Sequence, residues 1–157
     1  MDIFWSELSF GIPDSRQFII LIIRLSAAAV LGSAIGFERE TAGKAAGLRT
    51  HILVTAGTAA FVLGCAGSGM ESDALSRVIQ GIVTGIGFVG AGSILKREDD
   101  QSIQGVTTSA GIWMAAAIGV SVGLGELGMA LMATVLTLVV LRGTNWFEKR
   151  RESKPQS

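Results

Sequence analysis

The sequence predicts an all-α integral membrane bundle of five transmembrane helices, with the N-terminus outside the cell and the C-terminus in the cytoplasm. Three observations lead to this prediction. Hydrophobic residues make up 49% of the 157 residues and charged residues only 17%, whereas soluble domains contain roughly 25% charged residues. Long apolar runs separate the charges. The basic residues fall mainly on one side of those runs.

The apolar runs define the predicted spans. Crossing the hydrocarbon core takes about 20 mostly apolar residues in a helix. Backbone groups that face lipid must bond within their own segment, so we expect helices throughout. Four of the runs contain no Asp, Glu, Lys or Arg, and the first contains only Arg24. The predicted spans are residues 17–37, 50–67, 78–95, 106–125 and 127–147.

The basic residues predict the orientation. Five spans place ten Lys and Arg on one side of the membrane and two on the other, and an excess of Lys and Arg marks the cytoplasmic side. Residues 1–147 then form one transmembrane domain. Within it we expect residues 1–16, where apolar residues mix with acids, to lie at the outer interface. Residues 148–157 are expected to be a disordered cytoplasmic tail.

Composition excludes several classes of function. The 13 basic and 13 acidic residues give a net charge of zero, so the chain lacks the basic field that holds nucleic acid. One His, one Cys and no Tyr leave few groups for acid–base chemistry, and no nucleophile–base pair is evident. We therefore predict that the protein is not an enzyme, has no catalytic residues and binds no nucleic acid.

Small residues recur every four positions in spans one, three and four, which favours close helix packing, with a homo-oligomer interface as the alternative. The third span is the richest, with Gly85, Gly87, Gly90 and Gly92 in eight positions. Each interior Gly costs a water-exposed helix about 1 kcal/mol relative to Ala. One expectation is therefore a broken helix that exposes carbonyls to an ion. The other is close packing against Trp113 or another bulky neighbour.

Arg24 is a charge predicted deep inside a span, about seven residues, or roughly 10 Å, along the first helix, whereas Arg142 lies near the end of the last span and can snorkel to the interface. An arginine at the centre of a span costs about 2.5–3.5 kcal/mol on insertion scales, so it should face protein or water. Its candidate partners are backbone carbonyls, Gln80, Glu71 and Asp73. Snorkelling to the outer headgroups is the alternative.

Carboxylates cluster at the predicted cytoplasmic face. Glu38 and Glu40 end the first span, and residues 98–100 are three acids between spans three and four. Such groups can hold Mg²⁺, which typically takes one or two carboxylates and keeps several waters. A solvated charged surface is the alternative, because the spacing of these acids is not diagnostic. Mg²⁺ stays open as a ligand, the metal site is unknown, and no cofactor is predicted.

Four ordered blocks of the sequence resemble the MgtC/SapB family of bacterial membrane proteins. The resemblance covers roughly residues 17–142, and the blocks are residues 36–40, 46–51, 84–92 and 105–113. It implies a multi-pass protein of the bacterial inner membrane with five spans. Better-known members carry a cytoplasmic domain after the last span, so we expect a short form with the transmembrane domain only. The chain has Gln104 where the family usually has Arg, and Thr107 where some members have Asn.

The resemblance implies a function in magnesium or ion homeostasis and stress adaptation, within a family associated with virulence. We expect a modulator or adaptor that acts on other membrane proteins, membrane ATPases among them. The alternative is a small channel or transporter for Mg²⁺ or another cation, formed by the bundle itself.

The motif matches select a functional cytoplasmic face beside the glycine-rich third helix. We expect Glu38 and Arg49 to form an ion pair that holds the first cytoplasmic loop, with His51 as a hydrogen-bonding neighbour. The candidate residues of this face are Glu38, Arg39, Glu40, Arg49, His51, Thr107, Thr108 and Trp113.

Overall fold

The computed structural model describes residues 15–67, 72–96 and 102–152, which form five helices and one short pair of strands. The helices are α1 Ser15–Thr41, α2 Leu48–Gly67, α3 Ser72–Ala91, α4 Val106–Leu124 and α5 Leu127–Glu152, and the strands are β1 Leu95–Lys96 and β2 Ile103–Gln104. The all-helical prediction is confirmed. The predicted interfacial segment lies outside the described residues except for its last two, and α5 extends into the first five residues of the predicted tail.

Four of the helices, α1 to α4, are long and apolar enough to cross a membrane. The apolar part of α5, Leu127–Gly143, is shorter. The chain is therefore a multi-pass membrane protein by the length and composition of its helices. The third helix differs most from its predicted span, because it begins at Ser72 and ends at Ala91. Gly92 follows the helix in a turn, where the Ser93 N–H donates to the Gly90 carbonyl at 3.0 Å.

The helix α4 lies at the centre of the bundle and contacts each of the other four helices. The strands pair antiparallel between α3 and α4, with Leu95 opposite Gln104 and Lys96 opposite Ile103. This pair and the α1–α2 connection, residues 42–47, lie at the same end of the bundle. We call that end the hairpin end, and the other, where α4 passes into α5, the far end.

Glycines on α1 bring its backbone against α2. A Cβ at Gly32 would collide with Thr55 Oγ1, and one at Gly36 would lie 2.7 Å from the Leu48 Cα. No side chain larger than a hydrogen atom fits at such a distance unless the helices move apart. The two helices therefore meet backbone to backbone, as small residues allow in lipid.

Glycines on α4 make the same contact with the other side of α2. A Cβ at Gly119 would collide with Thr58 Oγ1, and one at Gly123 would lie 2.6 Å from the Val62 Cβ. The Thr58 hydroxyl also donates across the interface to the Ala116 carbonyl at 3.2 Å. The small-residue stripes of α1 and α4 are thus occupied by packing within one chain.

The glycine-rich helix α3 lies on the outside of the bundle. It is continuous from Ser72 to Ala91, so the expected break within it is wrong. Close packing is also wrong for Gly85 and Gly87, since a Cβ at either would meet nothing within 4 Å. Phe88 on the same helix is 84% exposed. The outer surface of α3 is therefore apolar, and the other described segments of the chain leave it uncovered.

Gly90 is the exception on α3. It is buried, and a Cβ there would lie 2.5 Å from Ser109 Oγ on α4. Close packing is therefore confirmed at this position, although the neighbour is Ser109 rather than the predicted Trp113.

Arg24 and Gly125 together close the far end of α4. Gly125 adopts a left-handed conformation with φ +91°, and the N–H groups of Gly125 and Glu126 donate to the carbonyls of Val122 and Ser121. Arg24 Nη1 donates to the Gly123 carbonyl at 2.9 Å. The last carbonyls of a helix lack partners within it and attract cations. Of the partners predicted for Arg24, the one that the structure shows is a backbone carbonyl, that of Gly123.

The backbone contact at Gly119 can be tested with a pair of single substitutions. Gly119→Ala should lower the free energy of unfolding by about 1–3 kcal/mol, because the methyl group forces α2 and α4 apart. Gly85→Ala should cause no loss, since the added methyl meets open space. Thermal unfolding of both variants in detergent measures the difference, and equal midpoints would contradict the packing described.

Candidate functional site

Two oppositely charged side chains are buried at the hairpin end, in the last turns of α1. Glu38 is 5% exposed and Arg39 only 1%. Arg39 Nε donates to Glu38 Oε2 at 2.6 Å, and Arg39 Nη2 donates to Glu38 Oε1 at 2.9 Å. Two N–H groups of the guanidinium thus bond to both oxygens of one carboxylate, which is the bidentate arrangement of a strong ion pair. Removing two charges from water costs several kcal/mol per ion, and this geometry offsets part of that cost.

His51 lies beside this pair in the second turn of α2 and is fully buried. Its Nδ1 is 2.9 Å from the Gly47 carbonyl. Because a carbonyl only accepts, we assign the ring proton to Nδ1, which leaves Nε2 as an acceptor. Within residues 15–67, 72–96 and 102–152, no group bonds to Nε2. That atom faces α4, where a Cβ at Gly111 would lie 3.5 Å from it.

Glu40, rather than an ion pair of Glu38, closes the first loop. Glu40 Oε2 accepts a hydrogen bond from the Leu48 N–H at 2.9 Å. A carboxylate in this place satisfies a donor that the first turn of α2 leaves open, and it interacts favourably with the positive end of the helix dipole. The motif that includes Glu40 gave no sign of its contact with Leu48.

The predicted pair of Glu38 with Arg49 is wrong. Glu38 pairs with its neighbour Arg39, and the Arg49 side chain is exposed. The cause is the helical rotation of about 100° per residue, which turns Glu40 toward the start of α2 while Glu38 and Arg39 are buried. His51 is a neighbour of Glu38, as expected, but its Nδ1 bonds to the Gly47 carbonyl.

The remaining candidate residues lie at the beginning of α4 and differ in exposure. Thr108 is buried, whereas Thr107 and Trp113 are exposed. Trp113 lines an open apolar groove of about 530 Å³ with Ile94 and Met114. The structure therefore brings Glu38, Arg39 and His51 together and leaves Trp113 on the outer surface of the bundle.

The strand pair and Gly105 were not predicted from the sequence. Strands of two residues are too short to show alternation. Gly105 adopts φ +91°, and a Cβ there would collide with the Ser93 carbonyl oxygen. The sequence did contain one signal for Gly105, which lies directly before a long apolar run. A glycine can begin a helix at a place where no side chain fits.

The described residues contain no group of three or more His, Cys, Asp and Glu arranged to hold a metal ion. Of the predicted acids, residues 98–100 lie outside the described part of the chain. Binding of Mg²⁺ stays a prediction.

Comparison with known proteins identifies related sequences. The model of a family described as the MgtC family matches residues 25–150. The chain is 45% identical over 130 residues to the "Putative magnesium transporter YhiD" of Escherichia coli K12, covering 76% of this chain and 58% of that protein. It is 42% identical over 117 residues to protein MgtC of Salmonella typhimurium, covering 74% of this chain and 49% of that protein.

A third relative is protein SrpB of Synechococcus elongatus, which is 40% identical over 134 residues, covering 78% of this chain and 74% of that protein. The chain thus spans about half of MgtC, 58% of YhiD and three quarters of SrpB. No solved structure matches it.

The buried ion pair can be tested by removing its cation. Arg39→Leu should lower the free energy of unfolding by about 3–5 kcal/mol, because the Glu38 carboxylate stays buried after losing its counter-ion. Arg49→Leu, at an exposed position, should change it by less than about 0.5 kcal/mol. Chemical unfolding in detergent measures both. The double variant Glu38→Gln, Arg39→Leu should recover part of the loss, and equal losses for Arg39→Leu and Arg49→Leu would contradict the pairing.

Proposed function

The chain belongs to the MgtC family, and on that premise we propose that it is an inner-membrane protein that modulates other membrane proteins in magnesium or ion homeostasis. The proposal includes no enzymatic step and no cofactor. Its partners would be proteins within the bilayer, with membrane ATPases as one class.

The packing of the central helices is the observation that carries this proposal. The helices α1, α2 and α4 meet backbone to backbone at Gly32 and Gly119, and an ion path between them would require the helices to separate. The buried charges of Glu38 and Arg39 bond to each other rather than line an open passage. By contrast, the outer surface of α3 is apolar and, among residues 15–67, 72–96 and 102–152, has nothing packed over it, as at Phe88. Such a surface suits contact with lipid or with another membrane protein.

We also propose that all five helices span the membrane, with the C-terminus in the cytoplasm. The apolar part of α5, Leu127–Gly143, is shorter than α1 to α4, and 17 residues at 1.5 Å each reach about 25 Å. Arg142, Trp146 and Phe147 lie at or just after its end in the sequence, where basic and aromatic residues extend a span into the interface. The distribution of ten basic residues against two supports the orientation.

A transporter is the second candidate. The name of the E. coli relative describes magnesium transport, and the chain covers 58% of that protein. The buried Nε2 of His51 has no partner among the described residues, and ionisable groups buried inside membrane proteins mark ion or proton paths in many transporters.

The two candidates differ in what the purified protein does by itself. Liposomes that contain only this protein and a magnesium-sensitive dye should take up Mg²⁺ no faster than protein-free liposomes, because the central helices leave no path. An ionophore added at the end of each run verifies that the dye responds. Protein-dependent Mg²⁺ entry that Arg39→Leu abolishes would favour the transporter instead.

The partner contact itself can be tested in cells that need this protein for growth in low magnesium. Gly85→Leu should leave the fold intact, since the side chain points into open space, and should impair growth by obstructing the outer surface of α3. Ala60→Leu, at an exposed position on α2, is the matched control and should support growth. Equal growth of the two variants at equal protein levels would exclude α3 as the partner surface.

The orientation is open to a reporter experiment. A fluorescent protein fused after Ser157 should fluoresce, and alkaline phosphatase fused at the same point should be inactive, because both reporters would lie in the cytoplasm. Active phosphatase at that position would place the C-terminus outside and contradict the proposed orientation.

A further inference from the structure

The hairpin end contains a pocket of about 670 Å³ that the proposed function does not use. Three segments meet there: the α1–α2 connection, the turn after α3, and the start of α4. The lining residues with polar groups are Lys44, Ser93, Gln104, Thr107 and Thr108.

The first backbone donors of α4 have no acceptor within the helix. The first hydrogen bond of the helix runs from the Ser109 N–H to the Gly105 carbonyl at 2.8 Å. The preceding N–H groups of residues 106–108 therefore have no acceptor within α4, and Gly105 supplies no side chain to cap them. Open N–H groups and the positive end of a helix dipole attract anions.

Thr108 is the second, independent sign of a ligand. It lines the pocket and is only 4% exposed, yet its hydroxyl makes no hydrogen bond within the described part of the chain. Other buried threonines behave differently, since Thr55 donates to the His51 carbonyl and Thr134 to the Ala130 carbonyl, at 2.9 and 2.8 Å. The hydroxyl of Thr108 is thus an available donor at the pocket wall.

Lys44 supplies a positive charge at the same pocket. Its backbone position is held by Gly43, with φ +66°, and by a hydrogen bond from the Lys44 N–H to the Arg39 carbonyl at 3.0 Å. Among the described residues, the Lys44 ammonium makes no ion pair. The neighbouring charges of Glu38 and Arg39 bond to each other, whereas Lys44 is a cation that borders the pocket.

We propose that this pocket binds a phosphate group. Lysine, open N–H groups at a helix start and a hydroxyl are all donors, and phosphate offers oxygens that only accept. The pocket is also far larger than the roughly 30 Å³ of a water molecule, which leaves room for a phosphate carried by a larger molecule. A lipid headgroup and a soluble phosphorylated compound share this chemistry. The inference is independent of the role proposed for α3.

Binding of radiolabelled inorganic phosphate to the full-length protein in dodecyl maltoside, which carries no phosphate, tests the site. The wild type should bind. Lys44→Gln and Thr108→Val should each weaken binding about tenfold, as expected for loss of a hydrogen bond to a charged group. The matched controls are Arg77→Gln, which removes an exposed charge from α3, and Thr134→Val, which removes a buried hydroxyl from α5. Both controls should bind like the wild type.

Added lipid distinguishes the two sources of phosphate. If the natural occupant is a headgroup, phosphatidylglycerol in the same detergent should displace the label from the wild type. If the occupant is a soluble compound, the label should stay bound with phosphatidylglycerol present and a soluble phosphate ester should displace it. Either result supports a phosphate site.

Two results would overturn the proposal. One is a wild type that binds no phosphate in lipid-free detergent. The other is equal binding by the wild type, Lys44→Gln and both controls, which would mean an adventitious ion only. Size-exclusion profiles verify the fold of each variant. Lys44 is exposed in a connection, so its substitution keeps the test valid even where Thr108→Val fails to fold.

Discussion

Contact between helix backbones at glycine is the constraint on which this bundle depends. Lipid tails are as apolar as leucine, so burial of apolar side chains does little to hold membrane helices together. Close approach and dispersion contacts must do so instead. The helix α2 lies between α1 and α4 and touches the first at Gly32 and Gly36 and the second at Gly119 and Gly123. These four positions set the spacing of the central helices.

That spacing also governs where charges can lie. Where the helices are in backbone contact, water is excluded, and charged groups must be satisfied by the protein itself. Glu38 and Arg39 meet this requirement by pairing with each other, and Arg24 meets it with the Gly123 carbonyl. At the hairpin end the helices end and connecting segments follow. There, Lys44 and the open donors of α4 face a pocket instead of a neighbouring helix.

The number and order of the helices could be predicted from the sequence. A charge-free run that is long enough to cross lipid satisfies its backbone groups there as a helix. The start of α3 could not be predicted in this way, since Asp73 and Arg77 lie outside the apolar run although they belong to the helix. The structure buries Glu38, Arg39 and His51 at one end of the bundle, but the sequence did not indicate which groups they contact. Which side chain Glu38 meets depends on the rotation of α1 against its neighbours, and Arg24 reaches a carbonyl 99 positions away, which no local pattern reveals.

The bond between Arg24 and Gly123 lies at one end of α4, and the glycine contacts with α2 continue along the same helix. An axial shift of α4 by a single residue, about 1.5 Å, would break that bond and drive side chains into the space that Gly119 leaves for Thr58. Piston-like sliding of the central helix is thereby blocked. Any conformational signal that crosses this protein must travel by tilting of peripheral elements, and α3, on the outside of the bundle, is one of them.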